Sequence, residues 1–355
     1  VLGGVRPDLR LLVMSATLDG ERLARFFDAP RLTAEGRAYP VTVKHFPARR
    51  DEALVLQLRR CVEQALAEHP GDVLVFVPSC GHCMPCMEGR PALCEPGAEA
   101  NGKGTLLSGE RRLHLGSQYV NHHVGVSAFA EHAVVSRRSC VKIEQDIDPV
   151  EAALFGCAVL TGVGAVVNTA KMQPGQSAAV VGLGGVGMCA LLGAVASGAT
   201  DIVAIDLNDS KLDMARQLGA THVVNARDPD AIAKVKEATR GGVDFAFEMA
   251  GVVPAMELSY RVTKRGGTTV TASLPHPQHN WPLQQVSLVA EERTVKGSYI
   301  GSCVPARDVP RYIGLYLAGK LPINKLLGER LKLDDINRGF DKLEAGESMR
   351  DLVVF

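Results

Sequence analysis

The sequence has no net charge: 39 Lys and Arg stand against 39 Asp and Glu over 355 residues. With a sequence pI near 7.2, a general binder of nucleic acid or of anionic membranes is excluded, since both need a basic excess. The first 30 residues show no basic start followed by an apolar core. Nothing therefore suggests secretion, and a reducing, cytoplasmic setting is expected. Charge is also lacking between Lys171 and Asp201, a stretch long enough for a membrane helix. That stretch holds seven glycines, Gly175 to Gly198, several in a turn pattern, so a glycine turn explains it and no membrane span is expected. Hydrophobic residues at 46% and charged residues at 22% describe an ordinary folded chain, not a disordered one. The length suits two or three domains.

Glycine, by contrast, is plentiful, at 36 residues, which suits α/β folds with tight strand-to-helix turns. The apolar run Ser177 to Val181 reads as a buried parallel strand. Gly182-Leu183-Gly184-Gly185-Val186-Gly187 follows it, and then a helix to about Ser197. This is G-x-G-x-x-G in strand-turn-helix context, the fingerprint of a dinucleotide site. Gly182 permits the turn, Gly184 lets backbone approach a pyrophosphate, and Gly187 lets the helix pack on the strand. Asp206 ends the next strand, 201–206, where a carboxylate accepts hydrogen bonds from the adenosine ribose and repels a 2′-phosphate. Leu207-Asn208-Asp209 offers no arginine for that phosphate, so NAD is expected over NADP. The alternation continues with strands at 221–225, 243–248, 268–273 and 294–299 and helices at 229–239 and 253–262. The fold class expected is α/β, a doubly wound parallel sheet.

Nine cysteines are present, and Cys80, Cys83, Cys86 and Cys94 form C-x2-C-x2-C-x7-C. Four thiolates in so short a loop close a tetrahedral zinc site, and a reducing compartment favours this over disulfides. Gly81, Pro85, Gly89 and Pro91 supply the turns. Protein fills all four positions, so the zinc expected here is structural.

Residues 79–355 resemble the zinc-type, medium-chain alcohol dehydrogenases. The resemblance is carried by the cysteine lobe, the glycine turn, His123-Val124-Gly125-Val126-Ser127-Ala128-Phe129-Ala130-Glu131, Phe155-Gly156-Cys157-Ala158-Val159-Leu160-Thr161-Gly162 and Gly297-Ser298-Tyr299-Ile300-Gly301-Ser302. It implies hydride transfer between a small alcohol or aldehyde and NAD, in a homo-oligomer (dimer or tetramer). It implies a coenzyme domain at 159–299 and a GroES-like catalytic domain from 79–158 and 300–355. It places Lys211 near the adenosine ribose and Arg350 close to the pyrophosphate. Catalytic-side positions implied are Cys157, Thr161 and His123, with Cys157 a ligand of a second, catalytic zinc.

Residues 1–78 read differently, with 10 Arg but one Lys. Arg6-Pro7-Asp8-Leu9-Arg10-Leu11-Leu12-Val13-Met14-Ser15-Ala16-Thr17-Leu18-Asp19 resembles a motif of the bacterial DEAH-box ATP-dependent helicases. The likeness continues through Gly71-Asp72-Val73-Leu74-Val75-Phe76-Val77-Pro78. Helical patterns are expected at 19–27 and 51–68 and a strand at 73–77. That family's phosphate loop, Asp-Glu-Ala-His box and arginine-rich motif are absent, which excludes a working helicase. Gly97 to Lys103 fits G-x-x-x-x-G-K, but Gly104 stands where a Ser or Thr hydroxyl is needed. It reads as plain loop.

The helicase-like segment stands where the dehydrogenase resemblance calls for the other catalytic-zinc ligands, and no Gly-His-Glu occurs. Without partners, Cys157 reads as a small buried apolar residue, and apolar surface around Phe129 and Val134 would lack its cover. Two readings stand: an NAD-dependent alcohol dehydrogenase impaired by loss of that segment, and a non-catalytic NAD- and zinc-binding module made by fusion.

Overall fold

A computed structural model describes residues 72–75, 79–129, 135, 139–143 and 146–354. The helicase-like motif, its two helical patterns and Val134 lie outside the described residues. Two antiparallel pairs come first. Strand β1 (Asp72–Val75) runs against β4 (Cys140–Ile143), Asp72 opposite Ile143 and Val75 opposite Cys140. Strand β2 (Leu113–Leu115) forms a hairpin with β3 (Gln118–Val120). The chain on the amino-terminal side of residue 78 thus supplies a strand to β4.

Six parallel strands make the main sheet: β5 (Ala178–Val181), β6 (Ile202–Asp206), β7 (His222–Asn225), β8 (Val243–Glu248), β9 (Thr263–Thr271) and β10 (Thr294–Gly297). Their order is β10-β9-β8-β5-β6-β7. Strands buried on both faces read as continuous apolar runs, and β5 is such a run. Ala178 and Val180 enter one core with the helix Gly185–Ala196, while Ala179 and Val181 enter the other with Val235 and Val262. Alternation of side chains across the strand produces this split. Helices Ala231–Ala238 and Val253–Val262 form crossovers, as the sequence pattern predicts.

Strand β9 starts well before residue 268. Thr263 pairs with Val243, and the register shifts before Phe245 pairs with Thr268. The polar and glycine residues 264–267 occupy that irregularity, which hides the strand from an apolar reading. A second difference concerns Gly97 to Lys103, which is helix, not loop. Helix Glu95–Lys103 is capped by the Cys94 thiol, carries a Pro in its first turn and Lys103 in its last, and ends at a left-handed Gly104. Those caps offset the weak intrinsic propensity of its glycines.

The uncharged stretch before Asp201 divides into β5, its turn and the helix Gly185–Ala196. Among the described residues no single helix is long and apolar enough to cross a membrane. At the carboxyl end of the chain, β11 (Arg330–Leu331) pairs in parallel with β12 (Leu352–Val353). Phe129 lies edge-on to Phe340 and stays 59% exposed.

One close approach seats the helix on β5. A Cβ at Gly187 would fall 1.8 Å from the Gly182 carbonyl oxygen. Gly187→Ala is expected to destabilise the protein by about 1–3 kcal/mol through overpacking. Gly184→Ala, whose Cβ would meet nothing within 4 Å, should leave the thermal midpoint in place. Equal midpoints for the two variants in a thermal melt would contradict this.

Candidate functional site

The strand order reverses beside β5, because the chain moves outward to β6 and β7 and then returns to β8 on the other flank. Doubly wound sheets take ligands at the carboxyl ends of the strands at such a switch point. Gly182 leaves β5 with φ 92°, a turn that side-chain-bearing residues rarely make. Gly184 caps the helix Gly185–Ala196 without a side-chain partner for its first N–H groups. Those groups and the helix dipole form an anion seat. Val186 is half-buried against the core. Arg350 arrives from the far end of the chain, and a Cβ on Gly185 would fall 2.2 Å from its Nε. That Nε is buried with no hydrogen-bond partner among the described residues. A buried donor without an acceptor is costly, and a phosphate oxygen would satisfy it.

Asp206 closes the same turn from β6. Its Oδ2 accepts from the Leu183 N–H at 2.6 Å and its Oδ1 from the Asn208 N–H at 2.9 Å. Each carboxylate oxygen keeps a lone pair for a further donor. Lys211 is half-buried, and its Nζ lies 3.7 Å from where a Cβ on Gly346 would stand. Arg227, from the turn after β7, donates through Nη1 to the Leu207 carbonyl at 2.9 Å. An arginine therefore does reach the 207–209 corner, contrary to the sequence reading, because β7 lies beside β6.

On the other flank, Glu248 ends β8 with 2% exposure. Its Oε1 accepts from the Ala250 and Gly251 N–H groups at 2.8 and 2.7 Å, and its Oε2 from the Thr271 hydroxyl at 2.7 Å and the Ser273 hydroxyl. Four donors make this buried charge tolerable, and they tie the loop after β8 to the end of β9. Beyond it lies a cleft of about 340 Å³ between the cysteine lobe and the ends of β9 and β10, lined by Arg90, Leu93, Thr271, Ser273, Ser298 and Tyr299 among others.

The four lobe cysteines converge. Their sulfurs all lie within 4.8 Å of one another, with Cys80 and Cys86 at 4.0 Å. A tetrahedral zinc with Zn–S distances of about 2.3 Å places sulfurs about 3.8 Å apart. Backbone N–H groups point at the sulfurs: Cys80 N–H to Cys94 (3.1 Å), His82 and Cys83 N–H to Cys80 (3.4 and 3.3 Å), and Gly97 N–H to Cys94 (3.3 Å). Burial raises the Cys80 thiol, but the N–H groups of His82 and Cys83 and the neighbouring thiols outweigh it and bring it down to about 6. Burial carries Cys94 up to about 12 and also raises Cys83. Four adjacent thiols cannot all ionise alone, and a divalent cation removes that conflict. The quartet fits zinc.

The catalytic-side positions do not converge in this way. Cys157 is exposed, which corrects the expectation of a buried apolar residue. It sits with φ −144° and ψ −70° at the break between the 3-10 turn Ala153–Gly156 and the helix Ala158–Gly164, and that break turns it outward. The Cys157 carbonyl accepts from the N–H of Thr161, which is buried. His123 is exposed, and its backbone N–H donates to the Ser127 hydroxyl. Among the described residues, Cys157 and His123 belong to no cluster of three or more metal-ligating groups.

Comparison with known proteins bears on this arrangement. Residues 185–317 match the family model of the zinc-binding dehydrogenases. Benzyl alcohol dehydrogenase from Acinetobacter calcoaceticus superposes with a TM-score of 0.76 at 31% identity, over 81% of this chain and 78% of that one. The chain belongs to the zinc-binding dehydrogenase family. An alcohol dehydrogenase zinc-binding domain protein from Burkholderia ambifaria matches this chain with a TM-score of 0.76 at 29% identity, again over 81% and 78% of the two chains. An alcohol dehydrogenase from Aeropyrum pernix matches with a TM-score of 0.64 at 27% identity, over 81% and 77%.

Two residues around this crevice escaped the sequence reading. Glu248 had a signal, since a carboxylate ending the apolar run Phe245-Ala246-Phe247 needs partners. Arg227 had none, because strand adjacency alone brings it to the corner. Cys86→Ser should lower the metal content and thermal midpoint together, since structural zinc binding is coupled to folding. Zinc-free protein, purified without chelator and already fully stable, would contradict the zinc assignment.

Proposed function

We propose that this chain binds NAD across the switch-point crevice and carries one structural zinc in the cysteine quartet. The observation that carries the coenzyme reading is the buried, unpartnered Nε of Arg350 over Gly185, beside the uncapped helix N-terminus. Gly182, Gly184, Gly185, Val186 and Gly187 would line the pyrophosphate, with Arg350 opposite. Asp206 and Lys211 would hold the adenosine ribose. The coenzyme domain is then residues 159–299, with 79–158 and 300–355 as the partner domain.

NAD, when bound, supplies a hydride acceptor for an alcohol or, reduced, a donor for an aldehyde. The chain's own residues supply the rest. The adenosine half lies on the β6 side, so the other half extends past Glu248 toward the cleft at the ends of β9 and β10. There the hydroxyls of Thr271, Ser273 and Ser298 offer polar contacts and the zinc lobe forms the opposite wall.

A catalytic zinc does not fit the described residues, because Cys157 and His123 join no ligand cluster. That observation favours poor turnover, and with it the second reading of a non-catalytic NAD- and zinc-binding module. The preference for NAD over NADP rests on Asp206, since Arg227 brings a cation to the same corner. Asp206→Ala is expected to weaken NAD binding about tenfold, as loss of a charge-assisted hydrogen bond does, and to bring NADP affinity level with NAD. Calorimetric titration with both nucleotides checks this; tighter binding of NADP than NAD by the unmodified chain would overturn it.

A further inference from the structure

Arg350 reaches Gly185 from the segment just before β12, and the surroundings of its backbone are charged. Gly328 N–H donates to the Arg350 carbonyl at 2.8 Å, and Glu329 N–H donates to Asp351 Oδ1 at 2.8 Å. The Glu329 carboxylate is in turn clamped by the helix Ile336–Glu344. Arg338 Nη1 donates to Oε2 and Nη2 to Oε1, both at 2.9 Å, and Lys342 Nζ donates to Oε2 at 2.9 Å. Lys342 also pairs with Asp351 Oδ2 at 3.6 Å. Arg338 and Lys342 stand four residues apart, so both face the same side of their helix.

An exposed ion pair by itself contributes little. This one differs because Glu329 and its neighbour Gly328 bond the chain at the Arg350 carbonyl and at Asp351, immediately after the Arg350 side chain. Glu329 is tied to Asp351 through its own N–H and, by way of Lys342, through its carboxylate. The strand pair β11–β12 extends the same register, with Leu352 N–H to the Glu329 carbonyl at 2.9 Å. Gly328 admits no slack, since a Cβ there would fall 2.2 Å from Asp351 Oδ1. Holding Glu329 in place thus fixes where the backbone runs from Arg350 into β12, and so where the guanidinium lands.

We propose that Glu329, held by Arg338 and Lys342, is a positioning residue that sets Arg350 for the coenzyme's pyrophosphate; this rests on the pyrophosphate reading of Arg350 given above. Arg338 and Lys342 hold the Glu329 carboxyl down at about 2, so the clamp persists throughout the neutral range. Glu329 touches no coenzyme itself. Its effect is confined to ligands that carry a pyrophosphate.

The test titrates the full chain with ADP-ribose, which carries the pyrophosphate, and with adenosine, which does not. Glu329→Gln should weaken ADP-ribose binding about three- to tenfold, the scale of coupling between residues of one network, and leave adenosine affinity unchanged. In the Arg350→Ala background it should have no further effect. Arg338→Met, which keeps Glu329 and its backbone bonds, serves as the second variant and should act in the same direction. Unchanged ADP-ribose affinity in both clamp variants, with a loss in Arg350→Ala, would overturn the positioning role alone. Equal weakening of ADP-ribose and adenosine would also overturn it, as general loosening. Unchanged ADP-ribose affinity in Arg350→Ala would overturn the pyrophosphate reading itself.

Discussion

The contact between Gly187 and the Gly182 carbonyl sets the geometry of everything around it. A helix can start so close to the end of β5 only because no Cβ stands between them. That closeness turns the first N–H groups of the helix Gly185–Ala196 toward the switch point. It also leaves Leu183 N–H in reach of Asp206 and Gly185 in reach of Arg350. Three distant parts of the chain therefore meet at one turn. Widening it by one methyl group would move the helix N-terminus, the Asp206 carboxylate and Arg350 relative to one another.

The cysteine lobe follows a different logic. Its local order comes from N–H groups aimed at sulfur and from short turns, not from an apolar core. A bound divalent cation makes that order self-consistent, because it neutralises thiolates that would otherwise repel. The lobe then presents the Pro91–Leu93 turn to the ends of β9 and β10, where it walls the cleft. Metal binding and cleft shape are thus linked through packing.

Much of the central sheet was legible in the sequence. Strands β5 to β8 are short apolar runs bounded by turn residues, and the crossover helices Ala231–Ala238 and Val253–Val262 carry helical periodicity, so type and order followed from pattern. The start of β9 did not, because Lys264-Arg265-Gly266-Gly267 interrupts the apolar signal at a register shift. The helix Glu95–Lys103 was hidden by its glycines, and only its caps account for it. Site residues close in sequence, such as the four lobe cysteines, converge where their spacing implied. Arg227 at the Leu207 corner, and Arg350 over Gly185, depend on sheet order and chain return. Spacing carries no such information, and Arg350 entered the reading through family resemblance alone. Cys157 was misjudged because a helix break, not hydrophobicity, decides its exposure.

On the proposed reading, this chain holds NAD and one structural zinc without a second, catalytic zinc. Native mass spectrometry of the NAD-loaded chain, combined with an assay of NADH formation from primary alcohols, tests it most directly. The expected result is one zinc per chain and negligible NADH. Two zinc ions per chain, with alcohol-dependent NADH formation abolished by Cys157→Ala, would contradict the account.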